Sequence, residues 1–319
     1  MATQAVTRIE KENVLLQIGD CAVTILPQFG GKVSSILVRG HELLQTPLAP
    51  YGPRNQTMSF DQGDASGWDE CLPSVSDCTV ETEGGVVHVP DHGDLWRVEW
   101  DILSSGDGSI TMRGACFSLP LELERTITLT QTEAGYRLQA DYIVTNNGSA
   151  EVPWAWSAHP GYASEAGDTI TLPDSVHSLR LEGSGGGRLG KGGDTVSWPI
   201  AELVTGGTTD LSKILGPETG IGDKLFAGPL SAAENWCSLE RPKAGIRLKI
   251  SFDPAATHYL GLWICHGGWP DRPGTKQHCV AIEPTTAPVD SLAKNGPWSR
   301  ILEAGASFSW PMTVDLELL

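Results

Sequence analysis

The chain has 319 residues, of which 40% are hydrophobic and 19% are charged, and its formal net charge is -17. This length and composition predict a globular protein with a large buried core, arranged as one all-β domain or as two ordinary domains. The acidic balance argues against nucleic acid as a partner, because no basic stripe is available to neutralise phosphates. It also disfavours a polyanionic substrate.

The predicted elements are almost all strands, in short and often alternating runs that glycine, proline, asparagine or aspartate separate. In chain order these strands are 14–18, 22–26, 33–38, 86–89, 96–102, 109–117, 122–130, 136–146, 178–181, 236–239, 246–252, 259–265, 280–282 and 308–316. Helical periodicity is scarce, and short turns are expected near 67–71 and 290–294. Many strands separated by turns predict a β-sandwich or a barrel rather than βαβ units.

The organisation of the chain is simple. No internal repeat and no linker of domain-separating composition is present, so we expect a single domain over residues 1–319.

The seven cysteines form no C-x-x-C pair and their number is odd. With no signal-peptide pattern and no long apolar stretch, this usage predicts free thiols in a reducing cytoplasm and no association with a membrane. Zinc-type spacing is absent, and we expect no metal site.

Glu283 stands where the apolar run 279–282 meets a proline. Such a run reads as a buried strand, and proline is expected to end the strand pairing. A carboxylate at the rim of a packed core is a place where a general base can be tuned. A turn residue paired with a surface lysine or arginine fits the local context as well.

Two histidines lie between rigid neighbours. His92 occupies a tight turn between two predicted strands, and Arg97, five residues on, could return as a hydrogen-bond donor. His159 closes an aromatic run that contains Trp156 and precedes a proline. Burial among aromatic rings and a neighbouring carboxylate could together poise an acid near pH 7. A solvated turn histidine and a satisfied core histidine are the alternatives.

The segment 67–74 places Asp69 and Glu70 beside Trp68 and a proline. With Asp61 and Asp64 nearby the acids suggest a cation site, but their spacing lacks the calcium-loop pattern. They are interpreted mainly as hydrogen-bond acceptors or solvated charges. The sequence also has 11 tryptophans against 6 phenylalanines and 5 tyrosines, and indole suits sugar rings with their apolar faces and hydroxyl rims.

Five segments resemble, in the same order, those of aldose 1-epimerases (galactose mutarotases) and their relatives. They are GWDECLP at 67–73, DHG at 91–93, SAHP at 157–160, GDKLF at 222–226 and AIEPTT at 281–286. The resemblance extends from about residue 29 to the C-terminus. It implies a large antiparallel β-sandwich of the galactose mutarotase type, with a concave sugar-binding face.

The resemblance also implies roles for individual residues. Glu283 matches the family's general base and His159 its general acid, whereas His92 and Asp223 match residues that bind the sugar. The implied activity is interconversion of the anomers of a free aldose, an isomerisation without redox change that needs no cofactor. The substrate-binding candidates also include Asp69, within the segment 67–73, and residues from outside the five segments: Arg54, Arg97 and Trp156.

Two departures distinguish this chain from typical mutarotases. The G-R-x-x-x-R-I signature is absent, so that only Arg54 or Arg97 can supply a guanidinium, and the turn after His159 differs. Alternative functions therefore stay open: a carbohydrate-binding or regulatory protein without turnover, or an epimerase of a phosphorylated hexose, whose phosphate clamp would need Arg54, Arg97 or Lys224. A third is a polysaccharide-active enzyme with two carboxylates across a cleft. The expected partner is a small monosaccharide, and the protein a monomer or homodimer.

Overall fold

The computed structural model describes residues 4–10, 13–298 and 300–319. These residues form strands and short 3₁₀ helices, with no α-helix among them. The strands of the first half are β1 (Val6–Glu10), β2 (Asn13–Ile18), β3 (Cys21–Leu26), β4 (Lys32–Val38), β5 (His41–Glu42), β6 (Trp68–Cys71), β7 (Cys78–Thr82), β8 (Gly85–Val89), β9 (Asp101–Gly106), β10 (Ser109–Ala115), β11 (Leu121–Gln131), β12 (Gly135–Asn146), β13 (Val152–Trp154) and β14 (Ser157–Ala163). Those of the second half are β15 (Thr169–Thr171), β16 (Ser178–Ser184), β17 (Thr195–Ser197), β18 (Ile200–Glu202), β19 (Thr208–Asp210), β20 (Ile221–Ala227), β21 (Trp236–Arg241), β22 (Ile246–Phe252), β23 (Tyr259–His266), β24 (His278–Thr285), β25 (Arg300–Leu302) and β26 (Ser307–Leu318). The 3₁₀ helices are Pro27–Phe29, Leu95–Arg97, Gly185–Gly187, Pro217–Thr219, Leu292–Lys294 and Gly296–Trp298.

Two large antiparallel sheets build the molecule. The twelve-stranded sheet has the order β1-β2-β3-β4-β6-β14-β24-β23-β20-β16-β17, with β5 paired to β4. The eight-stranded sheet has the order β15-β21-β22-β26-β12-β11-β10-β9. One hydrophobic core takes side chains from both sheets. The predicted β-sandwich is confirmed.

The core follows from the alternation of side chains along the strands. On β22, Ile246, Leu248, Ile250 and Phe252 are buried while the residues between them are partly exposed. On β24 every residue after His278 is buried, because both faces of this central strand are covered. Each fully buried aliphatic side chain contributes about 1.5–3 kcal/mol, so the two-sheet core supplies the main driving force for folding.

Two predicted elements differ from the structure. Residues 96–102 were expected to form a strand, but a 3₁₀ helix ends at Arg97 and β9 begins only at Asp101. The reason is that Trp96 and Trp100 are both buried, which brings the chain inward before the strand begins. The turn expected near 67–71 is instead the strand β6, whose four residues are buried on both faces and show no alternation. The short turn near 290–294 is present as the 3₁₀ helix Leu292–Lys294.

Pro284 does not end its strand, contrary to the sequence prediction. β24 continues to Thr285, and Pro284 pairs with Leu260 of β23. On the other side, β14 pairs with β24 at Ser157–Thr285 and again from Gly161–Ala281, without a bridge between them. Pro160 and Pro284 both lie in that gap, where the missing N–H groups cost no ladder hydrogen bond. Glu283 is therefore inside the strand rather than at its rim.

A buried ion pair joins the two sheets. Glu70 of β6 accepts hydrogen bonds from Arg125 Nη1 at 2.8 Å, Tyr142 Oη at 3.0 Å and Trp156 Nε1 at 2.9 Å. Arg125 also donates to the carbonyl of Gly31. Burial raises the pKa of Glu70, and the three donors oppose that shift. The two opposite charges compensate each other inside the core, although Arg125 Nε has no hydrogen-bond partner.

We expect Arg125→Met to destabilise the fold by about 3–5 kcal/mol, because it leaves the Glu70 carboxylate buried without its counter-ion. Urea unfolding followed by tryptophan fluorescence measures this change. Arg113→Met is the matched control, since the Arg113 side chain is 40% exposed and its contact with Glu122 is 3.5 Å long; its cost should stay below about 1 kcal/mol. Equal costs for the two variants would contradict a stabilising role of the buried pair.

All seven cysteines are unpaired in the structure, as the sequence predicts. No helix among the described residues is long and apolar enough to cross a membrane.

Candidate active site

The face of the twelve-stranded sheet that points away from the core carries the candidate site. The register that pairs Ser157 with Thr285 and Gly161 with Ala281 sets His159 of β14 opposite Glu283 of β24. On its other side Glu283 pairs with Gly261 of β23. A Cβ at position 261 would lie 3.2 Å from both Cβ and Oε2 of Glu283. This glycine leaves the room in which the Glu283 carboxylate sits.

One carboxylate oxygen of Glu283 accepts a hydrogen bond and the other has no partner. Its side chain is fully buried, and Oε2 accepts a hydrogen bond from Lys224 Nζ. Oε1 has no hydrogen-bond partner and lies 3.8 Å from His159 Nε2. The free oxygen therefore lies toward the imidazole, and its lone pairs accept no hydrogen bond from the protein.

Lys224 is held between two carboxylates. Besides Glu283, its Nζ lies 3.4 Å from Asp290 Oδ1. Burial alone would lower the pKa of Lys224, but Asp290 and Glu283 outweigh it and raise the pKa above the usual value. Burial raises the pKa of Asp290, which Lys224 opposes. Lys224 is consequently an ammonium ion at neutral pH, and it compensates the buried Glu283 charge.

His159 is a neutral imidazole at rest. Burial, followed by the neighbouring His92 and Lys224, holds its pKa well below the usual value of 6.5. The sequence had suggested an acid poised near pH 7 by a carboxylate neighbour. That expectation is wrong, because the nearest carboxylate, Glu283, is 3.8 Å away and already paired with Lys224.

A strained turn presents His92. Its φ is 59°, in the left-handed region that non-glycine residues rarely adopt. Gly93 follows at φ 68°, and a Cβ there would lie 2.3 Å from the carbonyl oxygen of Leu72, so only glycine fits this approach. His92 Nδ1 contacts Asp91 Oδ2 at 2.9 Å, and its ring stacks on Phe60 with centroids 3.7 Å apart. The turn and the ring stack fix His92 at the site.

These residues surround one cavity of about 250 Å³. The centroids of His92 and His159 are 5.1 Å apart, and Phe60 contacts both rings. The lining residues are Phe60, Val75, Ser76, Asp91, His92, His159, Lys224, Trp263, Trp269, Gln277, Glu283 and Asp290.

The structure brings Glu283, His159 and His92 together, but it places the other candidates elsewhere. Trp156 is 1% exposed and packs in the core against Tyr142 and Trp310. It cannot stack on a sugar in the cavity, which corrects the sequence expectation. Trp156 lies just before β14, and residues three positions apart along an extended chain, such as Trp156 and His159, point to opposite sides.

Asp69 and Asp223 also form their ion pairs and hydrogen bonds outside the cavity. Asp69 is opposite His159 in the sheet, yet it is buried in an ion pair with Lys32. Asp223 is fully buried and accepts hydrogen bonds from Ser184 at 2.7 Å and from Arg188. Neither carboxylate lines the cavity, so the structure contradicts direct sugar contact by both. For Asp223 the reason is again alternation, since its neighbour Lys224 takes the face toward the site.

The two candidate arginines line a separate depression beside Tyr51. Arg97 is 4% exposed and donates to the backbone carbonyls of Met58, Asp91 and Gly93. Arg54 forms an ion pair with Asp64. The sequence expectation that one of them supplies the site's guanidinium is therefore wrong. Arg97 serves the site indirectly, because it holds the turn that carries His92.

The cation of the site is Lys224, which the sequence suggested only as part of a phosphate clamp. Asp290, Phe60, Trp263 and Trp269 were not predicted at all. The sequence did contain one signal for Lys224: the alternation within 222–226 allows only one of two adjacent charged residues to face the cavity.

Among the described ranges 4–10, 13–298 and 300–319, no cluster of three or more histidine, cysteine, aspartate or glutamate side chains could hold a metal ion.

Solved structures of galactose mutarotase-like proteins are similar to this chain over its whole length. A galactose mutarotase-like protein from Lactobacillus casei has a TM-score of 0.64 at 18% sequence identity, covering 98% of this chain and 100% of that one. The GalM/aldose epimerase homologue from C. elegans has a TM-score of 0.61 at 14% identity and covers 100% of both chains. The Slr1438 protein of Synechocystis sp. PCC 6803 has a TM-score of 0.69 at 16% identity, covering 99% of this chain and 96% of that one.

No family model matches the chain, and no curated protein sequence matches it at a significant level. The chain therefore has the galactose mutarotase-like β-sandwich fold with a strongly diverged sequence, and the resemblance of its motifs is confirmed at the level of the fold.

Proposed function

We propose that the protein interconverts the α and β anomers of a free aldose by general acid/base catalysis. The observation that carries this proposal is the pairing of the free Glu283 Oε1 with His159 Nε2 at 3.8 Å across one small cavity. A proton acceptor and a proton donor on either side of a sugar's C1 are what ring opening requires. The similar structures named above include proteins described as galactose mutarotase-like.

In the proposed reaction Glu283 Oε1 takes the proton of the C1 hydroxyl, and His159 in its imidazolium form gives a proton to the ring oxygen. The bond between C1 and the ring oxygen breaks, and C1 becomes an aldehyde carbon. Rotation about C1–C2 presents the other face, and both proton transfers reverse as the ring closes. His92 is proposed to position the sugar by hydrogen bonding. The reaction is an isomerisation, in which protons and electrons balance without a co-reactant.

The proposed substrate is a single neutral sugar. The cavity volume of about 250 Å³ lies just below the range of about 300–1,000 Å³ that is typical of sites for drug-sized ligands. The cavity lining includes one lysine, Lys224, and three carboxyl groups, those of Asp91, Glu283 and Asp290. This acidic lining disfavours a phosphorylated hexose, because a second anion would meet net repulsion.

Polarimetry tests the proposal. Purified protein should accelerate the decay of optical rotation of at least one freshly dissolved α-aldose, and inorganic phosphate should not compete with the sugar. Competitive inhibition by phosphate would instead support a phosphorylated substrate. Saturable sugar binding without faster decay would support a binding protein, and would overturn the proposed activity.

A further inference from the structure

Lys224 reaches Glu283 across an intervening strand. β20, β23 and β24 are neighbours in that order, and Lys224 pairs with Trp263, whereas Gly261 separates Phe226 from Glu283. Because position 261 carries no side chain, the lysine stem crosses β23 above the ring of Phe226, with Nζ 5.4 Å from the ring centroid. A side chain at 261 would obstruct this path.

Glu283 itself cannot be solvated in the free protein. It is 0% exposed, and a buried carboxylate is costly unless it is paired and hydrogen-bonded. The titratable groups around it are Lys224 on β20, His159 on β14, Asp290 after β24, Cys71 on β6 and Cys279 on β24. Burial raises the pKa of both thiols well above the usual value, so they stay neutral. Lys224 is the cation among these groups.

Asp290 fixes Lys224 from the other side. Its Oδ1 is 3.4 Å from Nζ, and its carbonyl oxygen accepts hydrogen bonds from the backbone N–H groups of Val75 and Ser76 at 3.0 and 2.8 Å. The aspartate is thus anchored to the segment after β6, and the ammonium lies between two carboxylates. This arrangement ties Glu283 Oε2 and leaves Oε1 toward His159.

We propose that Lys224 is a positioning residue for Glu283, which holds the buried carboxylate through Oε2 and selects Oε1 as the atom that accepts the substrate proton. The role of Oε1 as proton acceptor rests on the proposed mutarotation. That Lys224 holds the Glu283 carboxylate in place does not depend on the proposed activity. Asp290 completes the arrangement by holding the ammonium in place.

Two readouts on Lys224→Met test this inference, with Lys224→Arg as the charge-retaining control. In a crystal structure of Lys224→Met the Glu283 carboxyl group should leave its wild-type position by more than about 1 Å, since Oε2 loses its donor. The acid limb of the pH profile of kcat/KM should also move to higher pH, with a loss of at least about 10-fold at pH 6 that shrinks at pH 9. In Lys224→Arg the acid limb should stay at the pH of the wild-type protein, because the positive charge is retained. Its kcat should be lower than that of the wild-type protein.

The outcomes separate this inference from the proposed function. An unmoved Glu283 carboxyl group in Lys224→Met overturns the positioning role, whether or not the wild-type protein is active. If wild-type protein shows no mutarotation while the carboxyl group moves as expected, the activity is wrong and the positioning role stands. Should Lys224→Met fail to fold, an acid limb in Lys224→Arg that moves to higher pH would contradict the inference.

Discussion

Glu283→Gln should lower kcat/KM for mutarotation by about 10²–10⁴-fold, the range that one positioned acid or base typically contributes. Glutamine has nearly the same shape but cannot accept the C1 hydroxyl proton. Lys224 keeps Asp290 as a counter-ion in this variant, so the fold should persist. Sugar binding measured by calorimetry should change much less than kcat, because the acceptor role is exercised mainly in the transition state.

The control for this variant is Glu202→Gln. Glu202 is exposed on β18, which lies in a separate two-stranded sheet, and its substitution should leave kcat/KM unchanged. If Glu283→Gln kept full activity with an intact fold, another residue would have to be the base.

His159→Gln is the second variant with a large expected effect, again a loss of about 10²–10⁴-fold in kcat/KM. Glutamine preserves a hydrogen-bond donor at the cavity wall but cannot release a proton to the ring oxygen. Polarimetry on the purified variant measures the loss, and a circular-dichroism melt checks the fold. Because acid and base act together, the double variant should lose much less than the product of the two single losses. Full activity of His159→Gln would exclude an acid role.

The pH dependence of the wild-type protein follows from the low pKa of His159. The imidazolium that donates the proton is scarce at pH 7. As long as the pH stays above the pKa of His159, each decrease of one pH unit raises the imidazolium fraction about tenfold. We therefore expect kcat/KM to rise as the pH falls from 8 to 6, and His159→Gln should lose this rise. An increase of kcat/KM with rising pH over the same interval would contradict the assignment.

Local patterns in the sequence predict most strands. The run at 246–252 coincides with β22, because hydrophobic residues alternate there along a half-buried strand. β6 escaped prediction because its four residues are buried on both faces and contain two carboxylates. Their partners, Lys32 and Arg125, come from other strands. A buried charge is recognisable only when its distant partner is known.

The face that a residue occupies also limits prediction from sequence. The motif at 222–226 names Asp223, but alternation turns it away from the cavity, and Lys224 takes the position toward the site. Trp156, a candidate from a flanking segment, is buried in the core. The contact of Lys224 with Glu283 joins residues 59 positions apart, and it depends on the order of β20, β23 and β24 within the sheet. Pairs of this kind require the topology, which local patterns do not contain.

The central claim is that the cavity around Glu283 and His159 turns over a sugar rather than only binding it. Magnetisation-transfer NMR on an aldose at anomeric equilibrium measures the exchange of the α and β C1 protons directly, without net reaction. Wild-type protein is expected to speed this exchange in proportion to its concentration, and Glu283→Gln is expected to leave it at the uncatalysed rate. Sugar signals that broaden on binding while the anomers exchange no faster than in buffer would contradict the account.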